Sequence, residues 1–375
     1  MNWKLPLYKI FSDEEDIEIV SNVIKRGEYW AIGPEIEEFE NSLTNYVGCK
    51  YSVAFNSGTS ALHAVLLAHG IKKTDEIIVP SFSFISTANA VLFVNGRPIF
   101  SDIEEETFGL DPEVLKQKIT PKTKAIIPMD YGGQSCKIFE LNKIANENNL
   151  VLIEDAAEAL GASIKDKKVG SISDTSIFSF CGNKVLTTGE GGAAVTNSSE
   201  IYEKLKLLRS HGRIDKENYF DNPSSPEYLG IGYNWRMSSI TAALGLSQIR
   251  KLGKLIKMRQ ENAEYISSKL SKIPEIKTPN ILTGNEHIFQ MYTIRLPNIQ
   301  IRTKLQSYLK NKAIFSKVYF DPIHLTSYYK DNFKSSNLPV TEKISDQILS
   351  LPLYPNMTDE EKDYLVNSIS EFFAH

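Results

Sequence analysis

The sequence predicts an α/β fold: a large domain on a mixed, mostly parallel sheet, followed by a smaller α/β domain. Three observations carry this. Short apolar runs alternate with helical patterns between residues 76 and 196, the mark of strand–helix–strand units. A stretch over 238–270 with no proline follows, and reads as one long helix connecting to a second domain. The chain has 375 residues, too many for one simple core and enough for two domains.

The elements follow in order. Ser12 with Glu15 three residues on makes a capping box, and Ile17, Val20, Val23 and Ile24 continue it as a helical stripe. A helix starts near Ser57 and stops at Gly70, with Leu62, Val65 and Leu66 on one face. Strands are expected over 76–79, 98–101, 124–129, 150–154, 175–180 and 193–196. Helices are expected between them over 86–93, 111–119 and 139–148. The second domain begins near Ile273, contains a strand over 290–296, and ends in a helix opened by Thr358 with Glu361 as its capping partner. The division falls at 1–250 and 251–375, with packing of the N-terminal segment on the small domain left open.

Composition narrows the function. Apolar residues make up 42% and charged residues 23%, with a formal net charge of -4. That suits a soluble globular protein and gives no basic excess for nucleic acid. Cys49, Cys136 and Cys181 have neither metal-site nor disulfide-framework spacing, which fits a reducing cytosol. The N-terminus meets acidic residues too early for a signal peptide, and no apolar run is long enough for a membrane span. The six histidines form no metal cluster. His63 and His69 read as packed or exposed helix residues. Tyr328-Tyr329 and Phe372-Phe373 read as domain packing, and 165–168 as a solvated turn.

Four stretches put polar groups where strands end or helices begin, the place where open α/β sheets bind ligands. Residues 56–60, NSGTS, open a helix. Free amides and the helix dipole there favour an anion, although an ordinary N-cap explains them too. In LIEDAAE a buried strand runs into Asp155, which either meets a cationic ligand atom or is a solvated loop acid. In FSFCGNKVLTTGEGG, Ser179 ends a strand and Lys184 follows in a glycine-rich turn. A lysine becomes nucleophilic where its neutral amine is favoured, and is otherwise a loop lysine. Residues 230–237, GIGYNWRM, alternate aromatic and polar side chains before a helix capped by Ser238 or Ser239, and a packed loop is the alternative.

Together these stretches describe a site for pyridoxal 5'-phosphate (PLP). That cofactor needs an anion cradle for its phosphate. It needs a carboxylate to keep its ring nitrogen protonated and a lysine to bond its aldehyde carbon. It also needs a flat residue against the ring, for which Phe84, or less favourably Phe82, is available in PSFSFIST.

At these residues the chain resembles the DegT/DnrJ/EryC1/StrS sugar aminotransferases. Their architecture is the PLP-dependent transferase fold type I, like aspartate aminotransferase. The motifs are NSGTSALHAVL, VPSFSFISTANAV, IEDAAEALGA, FSFCGNKVLTTGEGG and GYNWRMSSITAALGLSQI. The resemblance runs from about Leu5 to the C-terminal helix. Within the family, EDAAEALGA, GNKVLTTGEGG, HIFQMYTIRL and the stretch around His324 are most similar to GDP-perosamine synthases.

The resemblance implies roles. Lys184 bonds the cofactor and then moves a proton at the α-carbon of the donor, L-glutamate. Asp155 pairs with the ring nitrogen, Glu158 sits near the ring hydroxyl, and Phe84 stacks on the ring. Gly58, Thr59, Ser60 and Ser179 hold the phosphate, and Asn234 reaches it from the other subunit of a homodimer with shared active sites. Arg236 and His324 line the substrate pocket. The implied reaction aminates the C4 ketone of a nucleotide-linked 4-keto-6-deoxyhexose. GDP-4-keto-6-deoxymannose would give GDP-perosamine, in the cytoplasm and within O-antigen lipopolysaccharide biosynthesis. A dTDP- or UDP-linked keto sugar is the alternative substrate, and a regulatory or binding protein of the same fold the alternative class. Dehydratase relatives carry His where this chain has Lys184, which sets that branch aside. Cys181 and Trp235 stand where the family pattern has another aromatic and Tyr, respectively.

Overall fold

The computed structural model describes residues 3–213, 227–333 and 337–374. Its first half builds the sheet. Helices α1 (Glu14–Arg26) and α2 (Pro34–Val47) precede β1 (Tyr51–Phe55), α3 (Gly58–Ala68), β2 (Glu76–Pro80), α4 (Ser86–Phe93) and β3 (Arg97–Ser101). Then come α5 (Pro112–Lys116), β4 (Thr123–Ile126), α6 (Ile138–Glu147) and β5 (Val151–Asp155). The hairpin of β6 (Ser163–Ile164) and β7 (Lys167–Lys168) leads to β8 (Thr175–Ser179), β9 (Gly192–Thr196) and α7 (Ser199–Arg209). The second half holds α8 (Ser239–Arg250), α9 (Leu252–Leu270), β10 (Asn285–Glu286), β11 (Tyr292–Arg295) and α10 (Ile299–Asn311). It ends with α11 (Ser327–Asn332), α12 (Pro339–Gln347), β12 (Ile348–Leu351) and α13 (Asp359–Ala374).

Seven strands form the main sheet in the order β1-β9-β8-β5-β4-β2-β3. The pairs β2–β3, β2–β4, β4–β5 and β5–β8 are parallel, whereas β9 runs antiparallel to both β8 and β1. The sheet is therefore mixed and mostly parallel, as the alternation of elements predicts. Its strands are buried on both faces. Ile153 and Ile177 point to one apolar layer with α3 and α4, while Leu152 and Phe178 point to the other face. Such double burial is why these strands read as continuous apolar runs. The C-terminal ends of β1, β5 and β8 lie at one edge, because Phe55 and Ser179 both pair with Gly192. That edge gathers residues 57–60, 155–158 and 179–184.

Three expected elements differ. The first capping box is one residue later: Asp13 is the N-cap and exchanges bonds with Asp16. Of the proposed stripe, Val23 is buried but Ile17 and Ile24 are exposed. Asp16 is buried instead, where Gln248 and Lys251 reach it. The 238–270 helix is two helices, interrupted at Lys251 (φ -100°, ψ 2°). Lys251 leaves the helical line and pairs with Asp13 and Asp16, so a tertiary ion cluster overrides a continuous helical pattern. Helices α2 and α7 and strand β1 were missed. Gly33 and Gly48 bracket α2, and Ser198 caps α7, so start and stop signals for both were present.

A separate apolar cluster joins Leu5 to Ala263, Ile266, Ile294, Leu305, Leu349, Leu365 and Ile369. The N-terminal segment is bound there by backbone: Leu5 bridges Ile314, and Leu353 N–H donates to Leu7 O. Residues Ile323, Tyr329 and Leu338 return to the core of the main sheet. Leu5 is fully buried. Leu5→Ala should therefore cost about 2–5 kcal/mol, the usual range for a buried leucine. Urea denaturation monitored by circular dichroism checks this.

Candidate active site

One cavity of about 860 Å³ opens at the edge where β1, β5 and β8 end. Gly58, Thr59, Phe84, Asp155, Glu158, Ser179 and Lys184 line it. Of the eight expected binding or catalytic positions outside residues 230–237 and His324, these seven line the cavity and Ser60 stands apart. Its hydroxyl pairs with Ser57 Oγ at 2.9 Å, and its amide donates to the same oxygen, so Ser60 completes the helix cap.

The N-terminus of α3 forms one wall. The first amides of a helix have no intrahelical acceptor, so Gly58 and Thr59 direct N–H groups outward. Close approach explains the glycines. A Cβ on Gly58 would lie 3.1 Å from Ser179 Cβ, and one on Gly192 would lie 2.4 Å from Gly58 N. Sheet and helix start meet backbone to backbone here, which brings the Ser179 hydroxyl beside the helix start. This is an anion cradle of the ordinary kind.

Asp155 ends β5 and is 4% exposed. Its Oδ2 accepts from Thr87 Oγ1 at 2.7 Å, and its Oδ1 from Ala157 N at 3.3 Å. Burial pushes its carboxyl above the usual carboxylate range, and the Thr87 and Ala157 bonds and the Lys184 cation only partly offset this. A buried carboxylate in this state is one that a cationic ligand atom would stabilise. Lys184 Nζ lies 3.4 Å from Glu158 Oε1, with the two side chains 13% and 4% exposed. Glu158 Oε2 accepts from Gly132 N at 3.0 Å. The amine thus lines the cavity, paired with one carboxylate and within electrostatic reach of a second.

Phe84 is 57% exposed and stands at the cavity, whereas Phe82 is fully buried against Phe108 and Tyr131. Of the two candidates, only Phe84 has a free ring face. Three further expected residues stand outside this cavity. Asn234 is exposed; its carbonyl accepts from Asn56 Nδ2 at 3.4 Å, next to the α3 cap. Arg236 reaches Ser210 Oγ at 3.3 Å and lines a second cavity with Arg209 and Glu40. His324 is buried, with Nδ1 2.7 Å from Ser81 Oγ and Nε2 3.3 Å from Glu342 Oε1. It ties residues 323–325 to the end of β2.

Other lining residues were not singled out from sequence. Trp3 and Tyr8 come from the N-terminal segment, and Lys317, Tyr319 and Phe320 from the stretch before His324. Thr87, the partner of Asp155, sits in the quoted ISTANAV run. Its hydroxyl in the first turn of a helix after a strand was the available signal.

The donor set fits PLP: a helix start for the phosphate, a buried carboxylate with hydrogen bonds but no direct ion pair among the described residues, a flat exposed ring and an amine share one cavity. Its volume lies within the ordinary range for ligand sites.

Comparison with known proteins agrees. A model of the DegT/DnrJ/EryC1/StrS aminotransferase family matches residues 11–370. GDP-perosamine synthase of Caulobacter vibrioides is 35% identical over 344 residues, covering 91% of this chain and 91% of that protein. Helicobacter pylori PseC, an aminotransferase involved in the biosynthesis of pseudoaminic acid, is 30% identical and has a TM-score of 0.92, with 99% of both chains covered. NtdA of Bacillus subtilis, solved with bound cofactor PMP, is 29% identical with a TM-score of 0.88, covering 96% of this chain and 82% of that one.

Proposed function

We propose a reaction for this chain on the premise that it belongs to the DegT/DnrJ/EryC1/StrS aminotransferase family and is a PLP-dependent sugar aminotransferase. The amino group of L-glutamate passes to the C4 ketone of a nucleotide-linked 4-keto-6-deoxyhexose. The sugar nucleotide is GDP-4-keto-6-deoxymannose and the product GDP-perosamine. The observation that carries the transamination is the Lys184 amine in a cavity it shares with Asp155 and the start of α3. The identity to GDP-perosamine synthase supports the choice of sugar.

When bound, PLP supplies an electron sink for the carbon that loses its proton. The rest is the work of side chains. Gly58, Thr59 and Ser179 would hold the phosphate, and Phe84 would cover one ring face. Asp155 would keep the ring nitrogen protonated. Glu158 would sit near the ring hydroxyl. Lys184 Nζ would hold the cofactor's aldehyde carbon and, once free, would take the proton from the donor's α-carbon as general base and later return one as acid. Asn234 serves the neighbouring subunit of a homodimer, a role its exposure outside its own chain's cavity supports. The chain divides near residue 250 into a cofactor-binding unit and a smaller unit, with residues 3–8 packed on the second.

The test is direct. Protein loaded with PLP and given L-glutamate alone should release 2-oxoglutarate in one turnover. Added GDP-4-keto-6-deoxymannose should then yield an aminated sugar nucleotide by mass spectrometry. Initial-rate plots against both substrates should be parallel, as for a ping-pong reaction. Amination of a dTDP- or UDP-linked keto sugar in its place would establish the second reading. Absence of 2-oxoglutarate would remove the glutamate reaction.

A further inference from the structure

Gln290 makes two bonds that bracket Lys184. Its Oε1 accepts from Val185 N at 2.8 Å, and its Nε2 donates to Asn183 O at 2.8 Å. One buried amide therefore grips the backbone immediately before and immediately after the lysine. Gln290 is 5% exposed, so water does not compete for these bonds.

The same segment is fixed from two further sides. Met291 N donates to Gly132 O at 3.1 Å, and Ile288 N to Gly133 O at 2.9 Å. Gly133 has φ +107°, and a Cβ there would lie 2.7 Å from Gln290 N. The approach thus requires glycine twice over, for conformation and for space. On the other side Arg259 of α9 donates from Nε to Phe289 O at 2.8 Å and from Nη2 to Gln290 O at 2.9 Å. Arg259 is 3% exposed, and burial pushes its guanidinium down to about 10. A cation held in the interior by carbonyl oxygens demands that those carbonyls stay in place.

The bonds close a circuit. Lys184 Nζ meets Glu158, Glu158 meets Gly132 N, Gly132 O meets Met291 N, and the adjacent Gln290 returns to both neighbours of Lys184. Backbone and amine of the lysine are set by one connected network. We infer that Gln290 is a positioning residue for Lys184, with Arg259 holding Gln290 in turn. The inference rests on the proposed role of Lys184. It assigns the 288–291 segment, beyond the sheet edge, a part in the proton transfer: it fixes the arc through which Nζ moves.

The test compares the full-length protein with Gln290→Met, which keeps the length and loses both bonds, and Gln290→Glu, which keeps the acceptor for Val185 N alone. In cofactor-free protein, hydrogen exchange of the Val185 amide should quicken at least about tenfold in Gln290→Met. The amides of β11 should stay as protected as in wild type. In loaded protein, the glutamate half-reaction should slow by about 10- to 100-fold in kcat, the range for a misplaced catalytic group. KM for glutamate should stay within about threefold, because ground-state binding is untouched. Gln290→Glu should fall between. Borohydride reduction followed by peptide mapping should still label Lys184 in every variant. Unchanged Val185 exchange with unchanged kcat would overturn the inference. So would a general loss of protection that includes β11, since the role would then be structural. Labelling of a different lysine in wild type would instead overturn the reading of Lys184 itself.

Discussion

Lys184→Ala is expected to abolish transamination while leaving the protein folded. General base catalysis alone contributes about 10²- to 10⁴-fold, and Lys184 also anchors the cofactor, so the loss should reach at least the top of that range. The fold should survive because the amine faces a cavity rather than the core. Its side chain is 13% exposed, and its partner Glu158 keeps the Gly132 amide at 3.0 Å. Removing the amine leaves Glu158 beside a cavity that water enters, which softens the usual penalty for an unpaired buried charge. Two measurements check this. Single-turnover release of 2-oxoglutarate should vanish, and the visible band of lysine-bound cofactor should not form. The thermal midpoint of cofactor-free protein should match wild type within a few degrees. A variant that retained turnover would move the catalytic amine elsewhere in the chain.

Much of this site was legible in the sequence because its parts are local. Asp155 and Ser179 end apolar runs, and Gly58 opens a helix; strand ends and helix starts leave signals within a few residues. That they share an edge follows from strand direction, which alternating α/β patterns fix in advance. The residues missed are those whose neighbours lie far along the chain. Gln290 touches Val185 across 105 positions, and Thr87 touches Asp155 across 68. Neither pairing has a local pattern. His324 illustrates the converse. Its stretch stood out, and its neighbours Tyr319 and Phe320 do line the cavity, but its own ring is occupied by Ser81 and Glu342. Likewise 238–270 carried a helical pattern throughout, and only the acidic cluster around Lys251, from the far N-terminus, breaks it.

Asp155→Asn should separate stability from activity in opposite directions. The wild-type carboxyl is pushed above its ordinary value, chiefly by burial. A carboxyl whose folded pKa is raised contributes stability fully present below the unfolded value, near 3.8, and lost as pH rises through the folded value. At neutral pH the cofactor-free wild type therefore bears the cost of a buried anion. Asparagine removes that charge and fits the same contacts. Its Nδ2 can donate to Thr87 Oγ1, which already pairs with Ser83 at 2.7 Å, and its Oδ1 can accept from Ala157 N. The cofactor-free variant should thus melt at or above the wild-type temperature at pH 8, with the gap closing as pH falls toward 4. Activity should move the other way. Without the anion nothing holds the proton on the ring nitrogen, and kcat should drop about 100- to 1,000-fold, the scale of losing one preorganised electrostatic contact at a reacting centre. Borohydride labelling of Lys184 should persist, since the bond to the lysine does not need Asp155. Thermal melts at three pH values, read beside single-turnover rates, test both halves at once. A cofactor-free variant less stable than wild type at pH 8 would mean that Asp155 is there to hold the fold; equal rates would mean that the ring nitrogen finds its counter-charge elsewhere.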